Sequence, residues 1–263
     1  MSRMSAKELE FTIDGPVGTM KLNRPDDGHR LAPLLPRMKE ITAQLKTSRD
    51  VHVLIIRGTG AKQFCLGVFG PVRRAAMSKE EALDVVALGN DVIDAIEALP
   101  QIVVCGINGE LHGGGAELAL GCDIRVVAAH AHLAFPEAKM GGFPGCGAAV
   151  RLPPLIGRGR ALELLCTGRT IDADEMMRIG FADRVVTSDA FDRELDDLAA
   201  TIGRCGPLAT RGAKRVVNAR IEPGFRSSRE LSDALRQALE YSHDVDEGLA
   251  ARREGRPPKF LGR

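Results

Sequence analysis

The chain has 263 residues, 44% of them hydrophobic, and a formal net charge of +1. That is enough apolar material for a sizeable core, in one large domain or two small ones. The near-zero charge gives no electrostatic reason to expect nucleic acid or a membrane surface as partner; the absence of Trp and the single Tyr argue against stacking platforms for single strands, and no apolar run approaches the roughly 20 residues that span a bilayer.

The first residues, MSRMSAKELE, have no apolar signal core and are not an Arg/Ser-rich transit sequence, so the expected compartment is the cytoplasm. LEFTIDGPVGTMKLNRP then predicts a hairpin turning at Gly15-Pro16. VHVLIIRG, Val51 to Gly58, is apolar on both faces, as a buried strand is, and QIVVCGING repeats that character. Between them, Leu83, Val86, Leu88, Val92, Ile93 and Ile96 have helical spacing, and Ser78 with Glu81 forms a capping box that starts this helix, Lys79 to Leu99. A third strand is expected over Cys122–Val127. Short β-β-α units thus recur without a strict repeat. After Gly145 the pattern turns mostly helical: GRALELLCTGR and DADEMMRIG read as short helices with a glycine near each end. Longer amphipathic helices follow Asp189, then a basic tail, RREGRPPKFLGR. The six cysteines are scattered, form no C-x-x-C and have mostly apolar neighbours, which suits buried, reduced thiols. His130 and His132 share a strand face by period 2, but no nearby set of ligands completes a metal site.

The segment INGELHGGGAELALGCDIR places three glycines, Gly113 to Gly115, ahead of a helix-like run, with Glu117 two residues later. Glycine lets a backbone N–H approach a ligand closely. A helix starting there points unpaired N–H groups at an anion, or at an oxygen that becomes one. A plain strand-to-helix turn is the alternative. No G-x-G-x-x-G or G-x-x-x-x-G-K-[ST] fingerprint competes. A second glycine loop, GTGAKQFCLGVFG, follows the strand ending near Arg57 and carries Gly67. Two such loops could each give one N–H to a single carbonyl oxygen, an oxyanion hole.

Taken in order, LNRP, GAKQFCLG, INGELHGGGAELALGCDIR, FPEAKMGGFPGCGAAVRLPPLIGRGRALELLCTGR and EGLAARREGRPPKF resemble the crotonase family, the enoyl-CoA hydratase/isomerase superfamily, over nearly the whole chain. The resemblance implies an α/β fold, a crotonase-like spiral of ββα units over residues 1–200 with a C-terminal α-helical trimerisation region over 201–263. It places the two oxyanion N–H groups on Val68 and Gly114, and the catalytic carboxylates on Glu117, which orients and activates water, and Glu137, which delivers a proton to the α-carbon. Arg24, Leu66, Gly67, Gly113, Pro136, Lys259 and Phe260 fall at substrate-binding positions. It implies no metal, flavin or nicotinamide, since CoA is part of the substrate, and a homotrimer or homohexamer with no nucleic-acid or membrane partner.

The implied activity is that of an enoyl-CoA hydratase acting through an oxyanion-stabilised enolate. The alternatives are an isomerase or other acyl-CoA lyase, and an acyl-CoA-binding paralogue without catalysis. Taken singly, Glu117 also reads as a helix-start carboxylate favoured by the helix dipole, and Glu137 as a solvated loop residue. The chain departs from the family where Ala-Gly-Ala-Asp is common and Leu66-Gly67-Val68-Phe69 stands, and where Asn-Ala-Leu is usual and Gly28-His29-Arg30-Leu31 stands. The first change is expected to alter the pocket beside the thioester. Arg252 stands where an aromatic is usual. Ile102 stands where proline is common, and His112 either lines the acyl pocket or packs against the neighbouring loop.

Overall fold

The structure, a computed structural model, describes residues 8–221 and 225–261. The first seven residues of the segment read for a targeting signal, and the last two of the basic tail, lie outside the described residues. The hairpin forms as expected: β1 (Leu9–Asp14) and β2 (Val17–Leu22) pair antiparallel with Asp14 opposite Val17, so the loop is Gly15-Pro16. Gly15 takes φ +52°, which only glycine adopts without strain. After α1 (Leu35–Thr47) come β3 (Val53–Gly58), β4 (Gln63–Cys65), α2 (Pro71–Ala75) and α3 (Lys79–Glu97). The next turn gives β5 (Ile102–Ile107), β6 (Glu110–His112) and α4 (Gly114–Leu120); a third gives β7 (Ile124–Ala128) and β8 (His132–Ala134). Both halves of the capping box on α3 are present: Ser78 Oγ accepts from the Glu81 N–H at 3.1 Å, and Glu81 accepts from the Ser78 N–H at 2.8 Å.

After the β1-β2 hairpin, each ββ unit (β3-β4, β5-β6, β7-β8) sends its first strand to one sheet and its second to another. The larger sheet has the order β1-β2-β3-β5-β7-β10, parallel from β2 onward, with β10 being Arg184–Val186. The smaller has β4-β6-β8-β9, with β9 being Thr170–Asp172. That alternation is the spiral. The larger sheet is apolar on both sides because both are covered. Leu54, Ile56, Val103, Cys105 and Val127 join the main core with α1 and α3. Val53, Ile55, Val104 and Val126 face Phe191, Leu195 and Ala199 of α8 (Phe191–Gly203). Gly106 lets α8 approach, since a Cβ there would meet Leu195 Cδ2 at 2.6 Å.

The helical second half is α5 (Ala148–Ile156), α6 (Arg158–Thr167), α7 (Ala173–Ile179), α8, then α9 (Pro207–Ile221), α10 (Phe225–Glu240) and α11 (His243–Glu254). Gly168 and Gly180 end α6 and α7 in left-handed conformations, as their positions predicted. The boundary expected at 200/201 falls inside α8. Two strand expectations shift: Val51 and His52 precede β3, and the third strand starts at Ile124 because Asp123 caps the neighbouring strand instead, accepting from the Val103 N–H at 2.7 Å. The cysteine expectation holds for four residues only. Cys65, Cys105, Cys122 and Cys146 are buried thiols, whereas Cys166 and Cys205 are exposed. Among the described residues no helix is long and apolar enough to cross a membrane.

Candidate active site

Strands β4, β6 and β8 are parallel neighbours, and the chain leaving each one enters the same small region. From β4 comes the loop Leu66–Phe69, from β6 the glycine triplet, and from β8 the segment Phe135–Glu137. Ligands commonly bind at the carboxyl ends of parallel strands for this reason.

The three glycines answer to three different constraints. Gly113 has φ +48°, and a Cβ there would collide with Glu137 Oε1. At Gly114 a Cβ would collide with Val68 Cγ2 and come within 3.0 Å of the Val68 nitrogen. At Gly115 it would overlap the Cys65 carbonyl oxygen. The triplet therefore holds two backbone nitrogens, Val68 and Gly114, side by side. Neither N–H meets an acceptor in the backbone pairing of the described residues. The residues expected to form an oxyanion hole are thus brought together, with Gly67, at φ +106°, turning the first loop into place.

Glu117 is the fourth residue of α4 and is buried. Its Oε1 accepts from the Cys146 N–H at 2.8 Å and the Ala148 N–H at 3.0 Å. Burial raises its pKa; those two N–H groups and the nearby Arg151 and Arg229 guanidinium groups oppose the rise by favouring the charged form. Glu137 opens the 3-10 turn Glu137–Met140; the residue is partly exposed but its carboxyl is turned inward, so it is not a solvated loop residue. Its pKa is pushed up to about 8, by burial first and by the charge of Glu117 second. Its Oε2 is buried and has no hydrogen-bond partner among the described residues. The two carboxyls feel each other and are held by unequal surroundings, with backbone donors on Glu117 only, so they titrate as a pair.

The sequence did not reveal what stands behind this pair. Arg236 of α10 packs on Gly145, where a Cβ would meet its Nε at 2.9 Å, and its charge acts on both Glu117 and Glu137. Glu240 pairs with Arg236 and with Arg74 of α2. Arg151 pairs with Asp94 at 2.5 Å and Glu97 at 2.7 Å, and Arg229 with Asp94. The only linear signal was GCG at 145–147, small residues against which long side chains can lie.

Other expected substrate positions divide. Pro136 immediately precedes Glu137 and caps its turn. Phe260 lies against that turn, 3.1 Å from where a Cβ of Gly141 would sit, and is partly exposed. Lys259 is exposed, its N–H donating to Glu247 at 2.7 Å. Leu66 packs on the turn at Gly28, where a Cβ would meet its Cδ1 at 2.7 Å. Arg24 is engaged elsewhere: its guanidinium pairs with Glu8 and with Asp27 at 2.5 Å, which accounts for its raised pKa. His112 is half-buried, and burial lowers its pKa. His130 and His132 do not share a strand face, because His130 lies in the turn before β8. There its Nε2 meets the Ala61 carbonyl at 2.6 Å and its Nδ1 meets Ser188 Oγ at 2.7 Å, beside a surface hollow of about 330 Å³ away from the carboxylate pair.

A two-sheet spiral whose strand ends gather two glycine loops and two buried carboxyls is the architecture of the crotonase fold. The profile of the enoyl-CoA hydratase/isomerase family matches residues 12–263, and the chain belongs to that family, whose members act on acyl-CoA substrates. It is 32% identical to the crotonyl-CoA hydratase of Syntrophomonas wolfei over 99% of this chain and 100% of that one. It is 34% identical to the carnitinyl-CoA dehydratase of Citrobacter koseri over 98% of this chain and 100% of that one. Among solved structures, an enoyl-CoA hydratase from Bacillus anthracis is similar at a TM-score of 0.80 and 33% identity, covering 97% of this chain and 100% of its own.

Proposed function

We propose that this protein is an enoyl-CoA hydratase, adding water across the conjugated double bond of a 2-enoyl-CoA. The observation that carries this reading is the pair of buried carboxyls in unequal environments beside two converging backbone N–H groups. In this scheme Glu137, whose pKa is pushed up to about 8, is the proton donor, and Glu117, bonded by two N–H groups, is the carboxylate. Glu117 takes a proton from water as the water oxygen attacks the β-carbon. The π electrons move to the thioester oxygen, and the Val68 and Gly114 N–H groups stabilise the resulting enolate. As the enolate collapses, Glu137 gives its proton to the α-carbon. Each oxyanion donor is worth about 3 kcal/mol, and each acid or base step about 10²–10⁴-fold.

CoA enters as part of the substrate, and no further cofactor has a step in this scheme. Phe260, beside the Glu137 turn, and the exposed Lys259 that precedes it are assigned to the CoA arm. Arg24, held by its own ion pairs, supports the turn that follows β2. The same reading makes the protein a cytoplasmic homotrimer or homohexamer. Leu208, Val216 and Val217 of α9, more than half exposed, support subunit packing through the C-terminal helices; sedimentation analysis tests it.

The decisive assay uses 2-enoyl-CoA thioesters of graded chain length. It follows loss of the conjugated-thioester absorbance and gain of one water by mass. Hydration of at least one is expected; tight binding of all without turnover would overturn the reading in favour of an idle binding protein.

A further inference from the structure

The turn Gly28-His29-Arg30-Leu31, which departs from the family pattern, lies directly against the first oxyanion loop. Gly28 and His29 are both left-handed, at φ +72° and +54°, and His29 is the single non-glycine with positive φ among the described residues. Such a conformation costs about 1–3 kcal/mol and persists where the surroundings over-determine it. Here they do: His29 is buried, its Nδ1 accepts from the Arg24 N–H at 2.9 Å, and its Nε2 meets the Thr59 carbonyl at 3.1 Å. The reversal aims the next residue, Arg30, at the loop. Its Nη1 donates to the Leu66 carbonyl and, at 2.5 Å, to the Phe69 carbonyl. The backbone completes the clamp: Leu31 N–H donates to the Gly67 carbonyl at 3.0 Å, Ala32 N–H to the Val68 carbonyl at 3.1 Å, and Leu66 N–H to the Gly28 carbonyl at 2.8 Å. All four carbonyls of Leu66–Phe69 are thereby engaged, while the Val68 nitrogen, beside Gly114, keeps its N–H without a backbone acceptor among the described residues. Leu66 fits only because Gly28 has no Cβ.

We propose that Arg30 is the positioning residue of the first oxyanion donor: by holding the carbonyls on both sides of Gly67-Val68, it fixes the peptide whose N–H polarises the substrate carbonyl. This rests on the reading of Val68 as an oxyanion donor. A second contribution follows from charge. Arg30 is half-buried, and its two short contacts are to carbonyls, not to a carboxylate, so a positive charge stands behind the loop where negative charge develops.

The test uses a CoA thioester of a conjugated aryl-acrylic acid, whose absorbance moves to the red when its carbonyl is polarised, a readout that needs no turnover. The unaltered protein is expected to shift the bound chromophore. Arg30→Ala, and Arg30→Met, which keeps the stem of the side chain, are expected to lose most of the shift and to lower kcat on the order of 10²-fold, the cost of misplacing a reacting group by about 1 Å. KM and thermal unfolding should change little. Arg30→Lys is expected to fall between. A full red shift and full kcat in either folded variant overturns the assignment to Arg30 while leaving the oxyanion reading intact. No shift in the unaltered protein overturns the oxyanion reading, and the proposal with it.

Discussion

Glu117 and Glu137 are the same residue type, a short distance apart, and the fold treats them oppositely. Glu117 sits inside a helix whose neighbours supply two N–H donors and flanking guanidinium groups. Glu137 sits on a 3-10 turn with one oxygen against Gly113 and the other buried without a partner. Hydrogen bonds to the charged form oppose the rise that burial causes at Glu117, whereas burial and the charge of Glu117 both push Glu137 up, to about 8. The difference teaches that backbone donors given to only one of two like residues set their surroundings apart, which is what the proposed division into base and acid requires.

The strongest way to break this comparison is to remove each carboxyl. Glu117→Gln and Glu137→Gln should each lower hydration by about 10²–10⁴-fold. Both should fold, since Gln keeps an acceptor for the Cys146 and Ala148 N–H groups in one case and fills the same volume in the other. Parent-like hydration by both would refute the division of roles. Next in size, Gly113→Ala should damage only the Glu137 side. The new Cβ meets Glu137 Oε1 and adopts φ +48°, so kcat should drop by roughly 10²-fold. In the pH profile of this variant the acid limb, set by Glu117, should stay where it was.

The pH profile sharpens the contrast further. With Glu137 as the proton donor and a pKa of about 8, kcat should fall tenfold per pH unit above roughly that value. A basic limb that persists unchanged in Glu137→Gln would assign it to another group. The smallest expected effect is on stability. Folding raises the Glu137 pKa from its ordinary 4.5 to about 8, so between those values the folded state binds more protons than the unfolded. Stability therefore falls as pH rises through that window, and the loss is complete above it. Glu137→Gln removes this penalty and should unfold a few degrees higher than the parent at pH 9, but not at pH 4; calorimetry at the two pH values decides.

What the residues revealed in linear order was local. The hairpin at Gly15-Pro16, the capping box at Ser78 and Glu81, and the glycine stops after α6 and α7 each depend on a few adjacent residues. The glycine triplet was legible as a close approach, and the family pattern supplied its partner, Val68. Illegible were features made by long reach. Arg30 bonds carbonyls 36 and 39 residues away, Arg236 reaches Gly145 from α10, and Glu137 meets Gly113 across the chain. The motif named a position for Arg24 in the chain, but not its ion pairs with Asp27 and Glu8, which come from folding. His130 misled because period 2 was applied across a turn.

The turn that carries Glu137 is pressed against the end of the chain. A Cβ at Gly248 would overlap the Met140 carbonyl, one at Gly141 would overlap that of Asp244, and the Leu261 N–H donates to Asp244 at 2.7 Å. During synthesis, Glu137 leaves the ribosome more than 100 residues ahead of Gly248, an interval of roughly 5–20 s at ordinary elongation rates. The strands of both sheets precede these contacts in the chain, whereas the Glu137 turn cannot take up its final setting until they form. A nascent chain arrested before α11 should therefore have a folded core and no hydratase activity, gaining it only when the last helix docks. On the proposed reading, a bulky partner fused close behind Leu261 should press on the same contact and lower turnover, which an assay of differently tagged forms checks.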